Sequence, residues 1–547
     1  MRLAGGWFVL CLFSLATLNS CARPAMKFTG EPTVRVIADD RSIPEPAEIE
    51  FRRLRHHANN FFVRQARLRL DPVEAGPARD VNNMGEVPNS SWYENRAAHL
   101  SPEDVARGAG ADEPGPEAFT PWFITGLKAG GRNPGFVFKD SRGVRYICKF
   151  DKLGQPIIAT AAGAVAVRLL WACGYHTPDD RVVYFDRPDL QIGDGATYRT
   201  AKGKKAPVTP DQIDKLLERF VYHDAEGRYR VLVSRFLPGK PVGGYSYRGT
   251  RDDDPNDTIP HDKRRSLRGL RVFAAWLNHV DLKIDNTLDL YTEVDGRHFL
   301  RHYLVDFDGC LGGYWAARQE QRIGYAYDVD LREFFTGIFS LGLYKRPYES
   351  LESGHREIGL LATDAYEPSQ WRANYLNDQL LSSNAADLFW AGTVLSQVSE
   401  DHIRAAVTAG RFEDAAAVDQ LTHVLLERRA RTLDWALTRV TPVIDLDRVQ
   451  AAGGITVDAG DALVRAGRSV PLQYRSRLLD EDGNVLRDWS DNDGARVSYD
   501  GDATGGRRYV VIEWVARNGS HALPPTQGHY MRTESGWRLV GILRDGE

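Results

Sequence analysis

The sequence predicts an α+β protein of two lobes, a β-rich N-lobe and a helical C-lobe, followed by a small C-terminal β domain. Three patterns carry this prediction. From Phe119 onward, short alternating apolar runs are separated by glycine-rich and polar turns. After Gly239 the apolar residues recur at helical spacing. Beyond residue 446 the alternation returns, with Asp482-Gly483 and Asp493-Gly494 as turn signals. A chain of 547 residues is long enough for several such units. Their predicted limits are 119–239, 240–445 and 446–547.

The N-lobe opens with a predicted strand over Phe123–Lys128, followed by the glycine-rich turn that holds Gly130, Gly131 and Gly135. Phe136–Lys139 and Val144–Phe150 form a hairpin around Asp140-Ser141-Arg142-Gly143. Ile157–Cys173 has helical spacing and stops at Gly174. Arg181–Phe185 and Tyr229–Phe236 are strands, with an insert containing Lys202, Lys204 and Lys205 between them. In the C-lobe, Lys263–Asn278 reads as one amphipathic helix, with Arg264, Arg265, Arg268 and Arg271 on a solvated basic face. Two strands follow, Thr287–Thr292 and His298–Val305, and then helices from about Leu331 to Val440. Asp252, Asp254 and Asn256 alternate like a calcium loop but lack its closing glutamate, so a solvated acidic loop is expected.

Residues 22–118 read as an N-terminal extension and linker. Glu48–Leu70 could hold a basic helix, and Ser101–Glu117 reads as polar linker. Residues 1–21 read as a signal segment. The apolar run Leu3–Leu18 is short for a membrane span and ends at Leu18-Asn19-Ser20-Cys21, which resembles a bacterial lipobox. That resemblance implies a lipid on Cys21 and export to the cell envelope. Ala22, where an Asp would mean inner-membrane retention, implies the outer membrane, facing the periplasm. An ordinary signal peptide is the alternative, because Asn19 is unusual in a lipobox. Of the five cysteines, Cys148, Cys173 and Cys310 lie in apolar settings as small buried hydrophobes. The net charge of −4 lacks the basic footprint of a nucleic-acid binder.

Three motifs carry the chemistry. His279–Asn286 (HVDLKIDN) lies between a helix and a strand. Asp281 is placed to orient or deprotonate a hydroxyl, Lys283 to reach a phosphate, and Asn286 to offer an oxygen to a cation. Downstream, the strand Tyr303-Leu304-Val305 delivers Asp306 and Asp308 to a turn that resembles an Asp-Phe-Gly metal-binding motif, which implies Asp306, and with it Asp308, as candidate metal ligands. Asp308 serves either the metal or the shape of the turn. Upstream, Lys149 ends the third strand, after the glycine-rich hairpin.

In this order the motifs resemble the protein-kinase-like superfamily, in its HipA-like and phosphoinositide-kinase-like branch, from about Phe119 to Val440. The resemblance implies ATP and Mg2+ as cofactors. Lys149 and the glycine-rich turn would lie on the phosphates, and the linker Ser234, Arg235, Phe236 and Leu237 on the adenine. It implies a phosphotransferase, with the acceptor and the oligomeric state left open. Two departures stand out. Asp308 occupies the place of the motif glycine, which follows at Gly309. No Asp or Glu occurs from Lys152 to Pro178, where the superfamily carries the lysine's acidic partner; Gly163 stands near that position. The departures keep two alternatives in view, a catalytically inactive pseudokinase-like scaffold and transfer of a nucleotidyl group.

Overall fold

The structure, a computed structural model, describes residues 28–49, 58–71, 73, 75–110, 112–128, 133–151, 153–200, 204–314, 317–328, 330–340, 343–352, 354–451 and 453–544. Cys21, Gly130, Gly131 and Lys202 lie outside the described residues.

Seven strands form the sheet of the first lobe: β1 (Trp122–Leu127), β2 (Phe136–Lys139), β3 (Arg145–Lys149), β4 (Asp180–Phe185), β5 (Leu190–Arg199), β6 (Lys205–Pro207) and β7 (Tyr229–Arg235). Their order is β4-β7-β3-β2-β1-β5-β6. Only β1 and β5 pair in parallel; every other neighbouring pair is antiparallel. One face is sealed by stacked aromatics, including Trp122, Phe136, Phe138 and Phe185. The insert between β4 and β7 adds the edge strands and a helix, Pro210–Phe220, started by a Thr209/Gln212 capping box.

Against the other face lies helix α2 (Ile158–Ala172), named after the shorter α1 (Pro102–Arg107) that precedes it. Its sequence is almost all Ala, Gly, Val and Leu, so it is apolar on every side and buried nearly throughout. It is wedged between the sheet, α1 and a helix of the second lobe. Asp151 caps it by accepting hydrogen bonds from Ala159 N at 2.9 Å and Thr160 N at 3.0 Å.

The second lobe is built on α3 (Leu270–Leu277), α4 (Ala385–Ser396), α5 (Glu400–Thr408) and α6 (Ala415–Leu437). α3 is surrounded by α4 and α6. Two strands, β8 (Lys240–Pro241) and β9 (Thr287–Val294), join β10 (Arg297–Leu304) in a three-stranded sheet. Among the described residues 340–377 no α-helix forms; the prolines at 347 and 368 each start a single 3-10 turn instead. Residues 473–544 build a curled antiparallel sheet around Trp514, Tyr530 and Leu478.

Several sequence expectations are corrected. The helix predicted over Lys263–Asn278 is divided. A short piece, Arg265–Arg268, meets α3 at Gly269, where the Trp390 ring leaves no room for a Cβ. Its arginines are not solvated. Arg264, Arg265 and Arg268 are all buried, because Asp387 pairs with Arg265 at 3.0 Å and Arg268 at 3.3 Å, while Asp257 pairs with Arg264 at 3.0 Å. The acidic loop is also buried, at Asp254, Asn256 and Asp257, since it closes on His261, Arg251 and Arg264.

Nor is the segment 28–118 a peripheral linker where it is described. Trp92 stacks on His302 at 3.5 Å. Asp80 accepts from Ser266 N and Oγ. Within the expected polar linker, Ser101 and Asp104 form a capping box for α1, which packs on α2 and α5. Cys148, Cys173 and Cys310 are free and buried, as expected of small hydrophobes. Among the described residues no helix is long and apolar enough to cross a membrane.

Candidate functional site

The site begins where α3 ends. Asn278 takes a left-handed conformation (φ +50°), the turn that stops the helix, and its side chain is held by Trp371 Nε1 at 3.0 Å and by Gln319. The chain then enters His279–Asn286. His279 is buried with its ring 5.7 Å from that of Phe307, and burial pushes its pKa down to about 4, so the ring is neutral. Asp281 Oδ2 accepts from Lys283 Nζ at 2.7 Å and from Asn286 Nδ2 at 3.0 Å. Asn286 Nδ2 also donates to the Asp281 carbonyl at 2.8 Å. Asp281 Oδ1 is buried without a hydrogen-bond partner. From below, Asn374 N donates to Val280 O and Asn377 Nδ2 to Leu282 O, which fixes the loop's height.

The β9–β10 hairpin, in register over its full length, carries the second motif. Val305 N donates to Asn286 O at 3.0 Å and ties the two motifs together. Asp306 then turns through a left-handed conformation (φ +66°), uncommon for a non-glycine residue and tolerated by Asp. Phe307 goes into the core. Gly309 packs so closely on the catalytic-type loop that a Cβ there would stand 3.2 Å from Asp281 Cβ.

Lys149 comes from the first lobe. It sits opposite Leu232 in the β3–β7 ladder and reaches across to ion-pair with Asp306, with Asp308 at 3.8 Å. Burial disfavours each charge, but the pair outweighs it. Lys149 is held above the ordinary lysine range and Asp306 well below the carboxylate range. Asp308 goes the other way, pushed up by burial and then by the charge on Asp306. Asp308 also accepts from Asn133 Nδ2, and Lys128 Nζ donates to Asn133 O at 3.2 Å. Burial and the nearby Lys149 lower the Lys128 pKa. Gly135 is obligatory, because a Cβ would fall 1.9 Å from Cys148 O.

Thus Lys149, Asp281, Lys283, Asn286, Asp306 and Asp308 converge on one cleft. The linker residues diverge. Strand alternation puts Arg235 on the sheet face opposite Lys149, where it pairs with Glu113 at 3.2 Å. Phe236 lies under the Arg145 guanidinium at 4.3 Å, and Leu237 is half-buried. Sequence reasoning missed Lys128 and Asn133. Their place, flanking the glycine-rich turn, was the available signal.

Asp306, Asp308 and the Asn286 side-chain carbonyl are hard oxygen donors of the kind that magnesium or a similar cation takes. Among the described residues no cluster of three or more His, Cys, Asp or Glu side chains is arranged to hold a metal ion by itself. Magnesium sites that use one or two carboxylates and take the rest of their ligands from phosphates and water fit that limit.

No family model and no curated protein sequence matches the chain. Among solved structures, that of a Helicobacter pylori proinflammatory kinase, CtkA, aligns over 58% of this chain and 96% of its own, with 12% identity and a TM-score of 0.31. A Golgi casein kinase aligns over 75% of this chain and 97% of its own, with 9% identity and a TM-score of 0.28. The Golgi casein kinase with Mn/ADP bound aligns over 74% and 95%, with 9% identity and a TM-score of 0.29.

Proposed function

We propose that the chain is a kinase-like phosphotransferase that uses ATP and magnesium, and that a lipid on Cys21 anchors it in the bacterial cell envelope, at the outer membrane. The observation that carries the catalytic part is the meeting of Lys149 from the β lobe with Asp306 from the helical lobe, beside the hydrogen-bonded Asp281–Asn286 pair. In this reading Asp281 Oδ1 accepts the proton of an acceptor hydroxyl. The oxygen bonds to the γ-phosphorus and ADP departs. Lys149 holds phosphate oxygens, and Lys283 orients Asp281 through its hydrogen bond to Oδ2. Asn286 and Asp306, with Asp308 beside them, are the residues that would hold magnesium, which would supply charge neutralisation to the phosphates.

The deciding experiment is calorimetry of ATP binding to the chain from Ala22 onward, with and without magnesium, beside Asp306→Ala. Magnesium-dependent binding that disappears in the variant supports the reading. One observation favours the scaffold alternative: no acid on α2 is available to Lys149. No binding by either folded protein would leave that alternative standing.

A further inference from the structure

A cation bound at Asp306 would compete with Lys149 for the same carboxylate. A cation that takes the Asp306 carboxylate leaves the lysine's buried ammonium in need of another acid. The helix that packs beneath it offers none. Gly163 stands on that face, and a Cβ there would already lie 2.8 Å from Leu232 Cδ2. Asp308 already stands 3.8 Å from Lys149, but it is engaged by Asn133 Nδ2 and is itself a candidate ligand of the cation.

One further acid in the neighbourhood keeps a carboxylate oxygen without a partner. Asp180, the first residue of β4, lies opposite Ser234 in the β4–β7 ladder, and Ser234 lies opposite Ile147 in the β7–β3 ladder. Ile147 and Lys149 are two residues apart on one strand, so Asp180, Ser234 and Lys149 share the face toward the cleft. Asp180 is only 5% exposed. The Ser234 hydroxyl hydrogen-bonds its carboxyl, and its Oδ1 has no partner. Such an orphaned buried acceptor costs stability and persists where a partner arrives in another state. Asp180 and Lys149 already attract each other, each favouring the other's charged form.

We infer that Asp180 is the positioning acid of this site: it takes over Lys149 when Asp306 is claimed by a cation, replacing from strand β4 the acid that α2 lacks. The inference rests on the phosphotransferase reading for its purpose, but the exchange of partners can be tested without nucleotide. Asp306→Asn removes the resting partner of Lys149. In wild type, Asp180→Asn should leave the melting temperature unchanged or raise it, because an orphaned carboxylate is lost. In the Asp306→Asn background the same change should lower it by a few degrees, because Lys149 then loses its second acid. An equal effect of Asp180→Asn in both backgrounds would overturn the inference. So would the same reversal appearing with Asp308→Asn in place of Asp180→Asn. A nucleotide arm separates this inference from the functional reading. If wild type binds ATP with magnesium, Asp180→Asn should weaken binding about tenfold, and by nothing further in a Lys149→Met background. Additive losses in that cycle would also overturn the inference. Absence of binding in wild type would sink the functional reading alone, and the melting cycle would still decide whether Asp180 takes Lys149.

Discussion

Gly163 of α2 lies against the backbone of Asp308: a Cβ built on the glycine comes within 4.0 Å of the Asp308 nitrogen. The helix and the metal-type loop are therefore packed together at the place where a helix acid would have to fit. In this structure the acids that meet Lys149 come instead from the loop, Asp306 in a direct ion pair and Asp308 at 3.8 Å.

Restoring a helix acid should consequently fail. Gly163→Glu is expected to destabilise the protein by about 2–4 kcal/mol, since it adds volume and a charge where Leu232 already fills the space. Chemical denaturation would read the loss. A stable Gly163→Glu protein with tighter ATP binding would contradict the packing argument.

A buried guanidinium adds to the links between the two lobes. Arg230, from β7, donates to Gly410 O at 2.7 Å and Arg411 O at 2.6 Å beyond α5, and to Tyr184 OH and Thr160 Oγ1 within its own lobe. Asp151 lies 3.9 Å from it and would be left buried without its cation. Arg230→Met should cost about 3–5 kcal/mol and loosen the lobes relative to each other. Faster hydrogen exchange at the end of α5 and the start of α2 would be the direct sign.

Acid should favour the fold around Asp180. Burial raises its pKa to about 6, against the attraction of Lys149 and with the help of Asp179 and Asp306. The folded state therefore holds this proton more tightly than the unfolded chain does. Stability should fall as pH rises from about 4 to about 6, by up to about 3 kcal/mol. Asp308, also raised, contributes with the same sign, whereas the lowered Asp306 acts only at more acidic pH. Urea unfolding across this range should show a shallower decline for Asp180→Asn than for wild type.

Much of the architecture was legible because its signals are local. The hairpin Phe136–Lys149 and the helix ending before Gly174 depend on alternation, a turn and a cap within a few residues. The site motifs were legible because loop chemistry follows spacing: Asp281, Asn286 and Asp306 meet as their order suggested. What escaped was long-range pairing. Arg264, Arg265 and Arg268 look like a wet helix face until Asp257 and Asp387 arrive, the latter from more than a hundred residues away. Trp92 looked like part of a turn-rich spacer because nothing near it in sequence announces His302. The sheet face of Arg235 likewise depends on which residue it meets across the ladder.

The segment 28–49 also sets how the molecule bears load. Phe28 N donates to Tyr509 OH, and its ring lies edge-on to His529 and against Gly541, all in the C-terminal sheet. Farther along, Ile43 and Ile49 hydrogen-bond to His298 and Val242 in the helical lobe. A pull applied at Phe28 is thus taken first by the C-terminal sheet, next by Asn89 and Ser91, which bond to Ile37 and Asp39 beside Trp92, and only then by the outer strands of the second lobe. Once the C-terminal sheet lets go, tension passes through Asp39 and Ser91 to Trp92, and through its stack on His302 to the strand that leads into Asp306.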